Sequence, residues 1–182
     1  MMTKPNKGFS LIEILVTIVI LLIGLLGLAG LQVRALTSQM ESYQRSQALV
    51  LLKDMADRID DNRIYAASYV TATPVGTGLA SCTATGASPA GDLCEWHNAL
   101  LGAAELDSNG NKVGAMIGAR GCVYQLVAPD PVSGVPGQYL VAVAWQGLNS
   151  TAPPAVNCGI NQYGNESLRR VVTLPVSIAT LN

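Results

Sequence analysis

The chain has 182 residues, of which 49% are hydrophobic and only 13% charged, with a net charge of −1. That length holds about one domain of the usual ~100–200 residues, and the balanced charge offers no basic footprint, so no nucleic-acid partner is expected. A single histidine, His97, and four cysteines without C-x-x-C spacing supply zinc poorly, so neither metal nor cofactor is expected.

Residues 1–8, "MMTKPNKG", carry Lys4 and Lys7 and no acid. From Ile14 to Leu31 there are eighteen residues without a charge, and Thr17 is their one polar side chain. A helix of ~20 such residues spans the ~30 Å hydrocarbon core of a bilayer. The two lysines predict a cytoplasmic N-terminus, with everything after Leu31 on the periplasmic or outer side. An ordinary secretory signal fits less well, because its apolar core runs to only ~7–15 residues. Glu13 also lies inside the apolar block, behind Phe9, Leu11 and Ile12. A carboxylate there is costly unless paired. Neither lysine lies one helical turn below it. Cleavage between Gly8 and Phe9 would create an α-amine four residues before Glu13, on the same helix face.

The stretch Lys7–Glu13, "KGFSLIE", ahead of a long apolar helix, resembles the N-terminal motif of type IV pilins and type II secretion pseudopilins. The resemblance implies that a prepilin peptidase cuts after Gly8 and that Phe9 becomes the methylated N-terminus. It makes Glu13 the assembly carboxylate that neutralises the amine of a neighbouring subunit; pairing with the amine of its own chain is the other reading. Cleavage would take the side-chain charge from −1 to −3. Gly24, Gly27 and Gly30 recur every three residues, each costing a helix ~1 kcal/mol against Ala. They predict a soft place that unwinds locally, not a four-residue GxxxG dimer face. "IGLLGLAGLQ" is similar to the minor pilins of the PilV type. Gly30 stands where major pilins commonly carry proline, which argues against a bulk filament subunit.

From Gln32 to about Asn62 the helical beat continues without Gly or Pro. Leu36, Met40, Tyr43, Gln47, Val50, Leu51, Met55 and Ile59 make one apolar stripe of ordinary core packing. Glu41–Arg45, Lys53–Asp57 and Asp54–Arg58 are opposite charges four apart, placed on the outer side. Residues 69–94, rich in Gly, Ala, Ser, Thr and Pro, read as a loop that Cys82 and Cys94 could staple. "DLCEWHNALLGAAEL" reads as a short helix capped by Asp92 with Glu95 three residues on. Trp96, Leu100 and Ala103 or Ala104 form its buried side, and His97 faces solvent. Asp107, Asn109 and Asn111 alternate as in a calcium loop, but Gly110 is out of register and only one carboxylate is present. An Asn-Gly turn explains the same letters.

Residues 122–128, 138–148 and 169–179 are β-branched and alternating, separated by turns such as "PDPVSGVPG". The first two predict a hairpin, the third a strand after a long loop, and Pro175 an edge position or a bulge. If Cys122 opens the first strand, it lies near the end of the second, where the loop bearing Cys158 leaves. Cys82–Cys94 and Cys122–Cys158 are the preferred pairs, with three connectivities open. Two glycosylation-type triplets, at Asn149 and Asn165, read as chance. No Ser/His/Asp or Cys/His set and no phosphate loop can be assembled, so no catalysis is expected.

The expected fold is α+β: a long N-terminal helix packed on a small antiparallel sheet of about three or four strands, as in pilins. Its parts are a leader (1–8), a hydrophobic transmembrane and filament-core helix (9–31), the amphipathic half of that helix (32–64) and a disulfide-bonded head (65–182). "EWHNALLG", "VAWQGL" and "LRRVVT" extend the PilV likeness into the head. The resemblance implies an inner-membrane precursor with a periplasmic head, later part of a pilus at the cell surface. Its partners would be the prepilin peptidase, the inner-membrane assembly platform, other minor pilins and the major pilin. A minor-pilin complex that primes pilus assembly is the implied role. A type II secretion pseudopilin and a pilus-tip adhesin are the rival readings.

Overall fold

The computed structural model describes residues 8–78, 82–102, 108–110, 114 and 116–179. A helix, α1, spans Leu11–Asp61, and the chain divides within it into a unit up to Met40 and a unit from Glu41 onward. In the first unit every turn of α1 is unbroken, including those at Gly24, Gly27 and Gly30. Thr17 and Thr37 return their hydroxyls to the carbonyls of Ile14 and Val33, at 2.8 and 2.9 Å, so their polar groups are satisfied within the helix.

The second unit is built on three antiparallel strands, β1 (Ile117–Val127), β2 (Gly137–Gln146) and β3 (Arg169–Ile178), in the order β1-β2-β3. The alternation of β2 sorts its side chains by size. Tyr139, Val141, Val143 and Trp145 face the main core, together with Val123 of β1 and Ala48, Leu52, Met55, Ala56 and Ile59 of α1. Ala142 and Ala144 face the other way, and their small side chains let Cys158 and Tyr163 of the following loop settle onto that face. β2 is therefore covered on both sides, which explains its near-continuous burial.

β1 starts five residues ahead of the expected strand, at Ile117. Cys122 consequently sits at mid-strand opposite Ala142, not at a strand end. The disulfides join Cys82 to Cys94 and Cys122 to Cys158. The second is set by the loop lying across the sheet face, a different reason from the one the strand ends suggested. Pro175 lies on the outer strand β3, in unbroken register opposite Leu140. It needs no bulge, because an edge strand can spare the donor that proline lacks. The free side of β1 is instead occupied: Val75 exchanges both backbone bonds with Gly121, at 2.8 and 2.9 Å.

Helix α2 (Pro89–Leu100) begins earlier than expected. Ser88 is the N-cap, its hydroxyl accepting from the Gly91 N–H at 3.2 Å, and Pro89 follows where its missing donor costs nothing. Asp92 is not the cap but is buried within the first turn. Trp96 is fully buried and donates its indole N–H to the Leu51 carbonyl at 2.9 Å, fixing α2 to α1. Gly121 makes room for it, since a Cβ there would stand 2.3 Å from the indole ring.

The expected apolar stripe of α1 holds at Met55 and Ile59, with Leu51 half-buried against the core, but not nearer the N-terminus. Gln44, Ala48, Leu52, Met55, Ala56 and Ile59 are buried, while Leu36, Met40, Tyr43 and Val50 are exposed. Leu52, Met55 and Ile59 carry the apolar contact with the sheet, and Ala48 and Ala56 fill the space between them. A seven-residue 3-10 helix, Arg63–Tyr69, then leads away, burying Ala66 and Tyr69.

Candidate functional site

The N-terminal motif occupies the start of α1. The Ser10 carbonyl accepts from the N–H groups of Glu13 and Ile14, at 3.0 and 3.3 Å, and so begins the helix one residue after Phe9. Gly8 is exposed and outside the helix, and Phe9 is 80% exposed. A peptide bond between them is sterically open. Lys4 and Lys7 lie outside the described residues. The Glu13 carboxylate makes no ion pair or hydrogen bond among the described residues, and its neighbours Leu11, Ile12 and Ile14 are exposed. An ionised group among exposed aliphatic side chains is stable in water but costly in lipid without a cation.

The rest of the first unit has the same character. An eighteen-residue window of α1 has mean hydropathy 2.9 and none of it is buried, which meets the length and composition needed to cross a membrane. A Cβ on Gly24, Gly27 or Gly30 would meet nothing within 4 Å. Those three glycines are thus not required by packing within the chain.

In the second unit, charged side chains tie the elements together. Glu41 does not pair along the helix with Arg45. Its carboxylate accepts from the N–H groups of Leu148 and Asn149, at 3.2 and 3.0 Å, and from the Arg170 guanidinium at 3.4 Å. Lys53 pairs with Asp57 on the outside. Arg58 pairs with Asp54 at 3.1 Å, but it also reaches Asp92 and Glu95 at 2.9 and 2.7 Å. Tyr69 donates its hydroxyl to Asp92, and burial, reinforced by that carboxylate, pushes the phenol up to about 12. On the other sheet face, Arg169 is 2% exposed and serves as an internal cation. It binds Glu166 at 2.6 Å and donates to the carbonyls of Val156, Pro154 and Cys158. The guanidinium fork thereby holds the loop that carries the second disulfide.

His97 is half-buried rather than solvent-facing: its Nδ1 accepts from the Gly76 N–H at 3.1 Å, a structural contact. Ala103, Ala104, Asp107 and Asn111 lie outside the described residues. Asn109 and Gly110 form a turn, with Gly110 at φ +79°. Among the described residues no group of three His, Cys, Asp or Glu side chains could hold a metal ion. The latch at Glu41 and the clamp at Arg169 were missed from sequence because Leu148, Asn149 and Arg170 lie over a hundred residues from Glu41, and the carbonyls that Arg169 holds lie 11 to 15 residues from it. An arginine pair beside a strand start, Arg169–Arg170, was the available signal.

Comparison with known families adds two matches. Residues 3–29 match the prokaryotic N-terminal methylation motif, and residues 30–97 match the Tt1218-like family, described as type IV pilin Tt1218. No curated protein matches the chain, and no solved structure does.

Proposed function

We propose that the chain, which matches a methylation motif over residues 3–29 and a type IV pilin family over residues 30–97, is a minor pilin of the PilV type that helps prime pilus assembly. Pilins are structural subunits, and the proposed work of this chain is assembly, not catalysis. The observation that carries the reading is the eighteen-residue apolar window of α1 in the first unit, none of which is buried. Such a surface needs lipid before assembly and other helices afterwards.

In this proposal a prepilin peptidase cleaves the exposed Gly8–Phe9 bond and methylates the Phe9 amine. Glu13 then meets the amine of a neighbouring subunit, which offsets the cost of its charge in an apolar filament core. Gly24, Gly27 and Gly30 supply the local give that a helix needs when it leaves lipid. Gly30, where major pilins commonly have proline, favours the minor role. The precursor would sit in the inner membrane with its head in the periplasm, contacting the assembly platform, other minor pilins and the major pilin.

Intact-mass analysis of the protein from its native membrane, with and without prepilin peptidase, tests the processing. The expected product starts at methylated Phe9 and requires the peptidase. A start at Met1 or Met2 would sink the filament reading. Deletion tests the minor role: pili should be lost or rare although the protein is scarce in sheared pili. Abundance comparable to the major subunit would overturn it, and loss of protein secretion with pili intact would point to a pseudopilin.

A further inference from the structure

The sheet end opposite the Glu41 latch holds a cavity of about 410 Å³, bounded by Arg63, Ile64, Ala67, Pro129, Tyr139 and Ile178 among others. That volume lies within the range of ~300–1,000 Å³ usual for small-molecule sites. Its walls are aliphatic except at two places. Arg63, the first residue after the turn that ends α1, is exposed, and its guanidinium has no ion pair or hydrogen bond among the described residues. No acidic side chain lines the cavity. Tyr139 is 1% exposed, yet its hydroxyl has no hydrogen-bond partner among the described residues either. The hydroxyls of Tyr69 and Tyr163 are instead engaged, by Asp92 and by the Gly118 carbonyl.

An aliphatic chamber with one unengaged cation at its mouth and one unclaimed hydroxyl in its wall is a chemical description of a ligand. The ligand has an apolar body, one negative charge and an oxygen that can accept from the phenol. We infer that the cavity binds a small apolar monocarboxylic acid, with the carboxylate on Arg63 and Tyr139 and the hydrocarbon against Ile64, Ala67, Pro129 and Ile178. Ile64 borders the cavity with 86% of its surface exposed, and covering it adds to the hydrophobic gain. The arginine makes the site selective: a planar guanidinium takes a carboxylate bidentately, and an alcohol of equal length forfeits that contact. The proposal is independent of how the N-terminal unit assembles.

The probe is hexanoate, titrated into the full chain in zwitterionic nanodiscs carrying 13C-labelled isoleucine methyl groups, with hexanol as the uncharged control. Saturable shifts are expected at Ile64 and Ile178, with none at Ile160, and with hexanol at least tenfold weaker. Arg63→Gln should bring hexanoate down to the level of hexanol. Ala67→Trp, at an exposed wall position, should abolish both without changing the unfolding midpoint. Shifts that rise without saturation, that appear equally at Ile160, or that are equal for acid and alcohol would overturn the proposal.

Discussion

The unit up to Met40 and the unit from Glu41 use apolar residues in opposite ways. In the first, Leu, Ile and Val surround the helix and none is buried. In the second, two clusters form on the two faces of one sheet, and small residues decide how closely the layers approach. Gly121 on β1 makes room for Trp96 of α2, and Ala142 and Ala144 on β2 make room for the loop bearing Cys158 and Tyr163. Hydrophobicity therefore says only that a surface must be covered; the size pattern says whether the chain covers it itself. The first unit, with no amphipathic division, depends on lipid or on other chains.

The sharpest way to break this contrast is to truncate one large side chain in each unit. Trp96→Ala should cost about 3–5 kcal/mol, through the cavity left beside Gly121 and the lost bond to Leu51. Thermal unfolding of the full chain in nanodiscs, followed by near-UV circular dichroism, reads the change. Leu22→Ala, at a side chain 54% exposed, should leave that midpoint where it was and act only on membrane insertion or assembly. A fall in the midpoint with Leu22→Ala would mean that the two units share a core.

The second test compares the two disulfides. Replacing Cys122 and Cys158 by Ser should cost ~2–4 kcal/mol, since that bridge closes a 36-residue separation. The Cys82–Cys94 bridge closes only 12 residues, and its removal should cost about 1 kcal/mol less on loop entropy alone. Equal costs would mean that the buried Arg169 clamp, not the bridge, holds the long loop. Arg169→Met with both bridges intact would then carry the larger loss.

What could be read from the sequence follows from how local each cause is. The strands were legible in their alternation, the edge position of β3 in Pro175, and the length of α1 in the helical beat that runs from Gln32 to about Asn62. The buried face of α1 was legible only toward its end, at Met55 and Ile59. Tyr43 and Val50 look more apolar than Gln44 and Ala48, yet the fold buries the second pair and exposes the first. The cap of α2 was present in Ser88-Pro89, yet Asp92 offered a competing capping signal that the fold uses for Arg58 and Tyr69 instead. Glu41, Arg169 and the cavity between Arg63 and Tyr139 depend on residues far apart in the chain, where no spacing rule reaches. The N-terminal motif is the reverse case, since its seven residues announce their chemistry before any fold exists.

The smallest expected effect separates the units by pH. Tyr163 is nearly buried, donates to the Gly118 carbonyl at 2.9 Å, and burial pushes its hydroxyl up to about 12. Tyr69 is raised to the same region, by burial first and then by its bond to Asp92. Unfolded tyrosine ionises near ~10. The folded state favours the neutral phenols, so their contribution is intact below about 10 and is lost as pH rises from there toward about 12. Residues 8–40 contain no tyrosine, so the loss should be confined to the second unit. Near-UV dichroism should decay over that window while α1 of the first unit stays helical. Tyr163→Phe should lower stability at neutral pH by about 0.5–1.5 kcal/mol, the worth of one hydrogen bond, and flatten the alkaline slope. Because the buried hydroxyl and its raised ionisation have one cause, both effects must appear together. An unchanged slope in the Tyr69→Phe, Tyr163→Phe double variant would assign the alkaline transition to other groups.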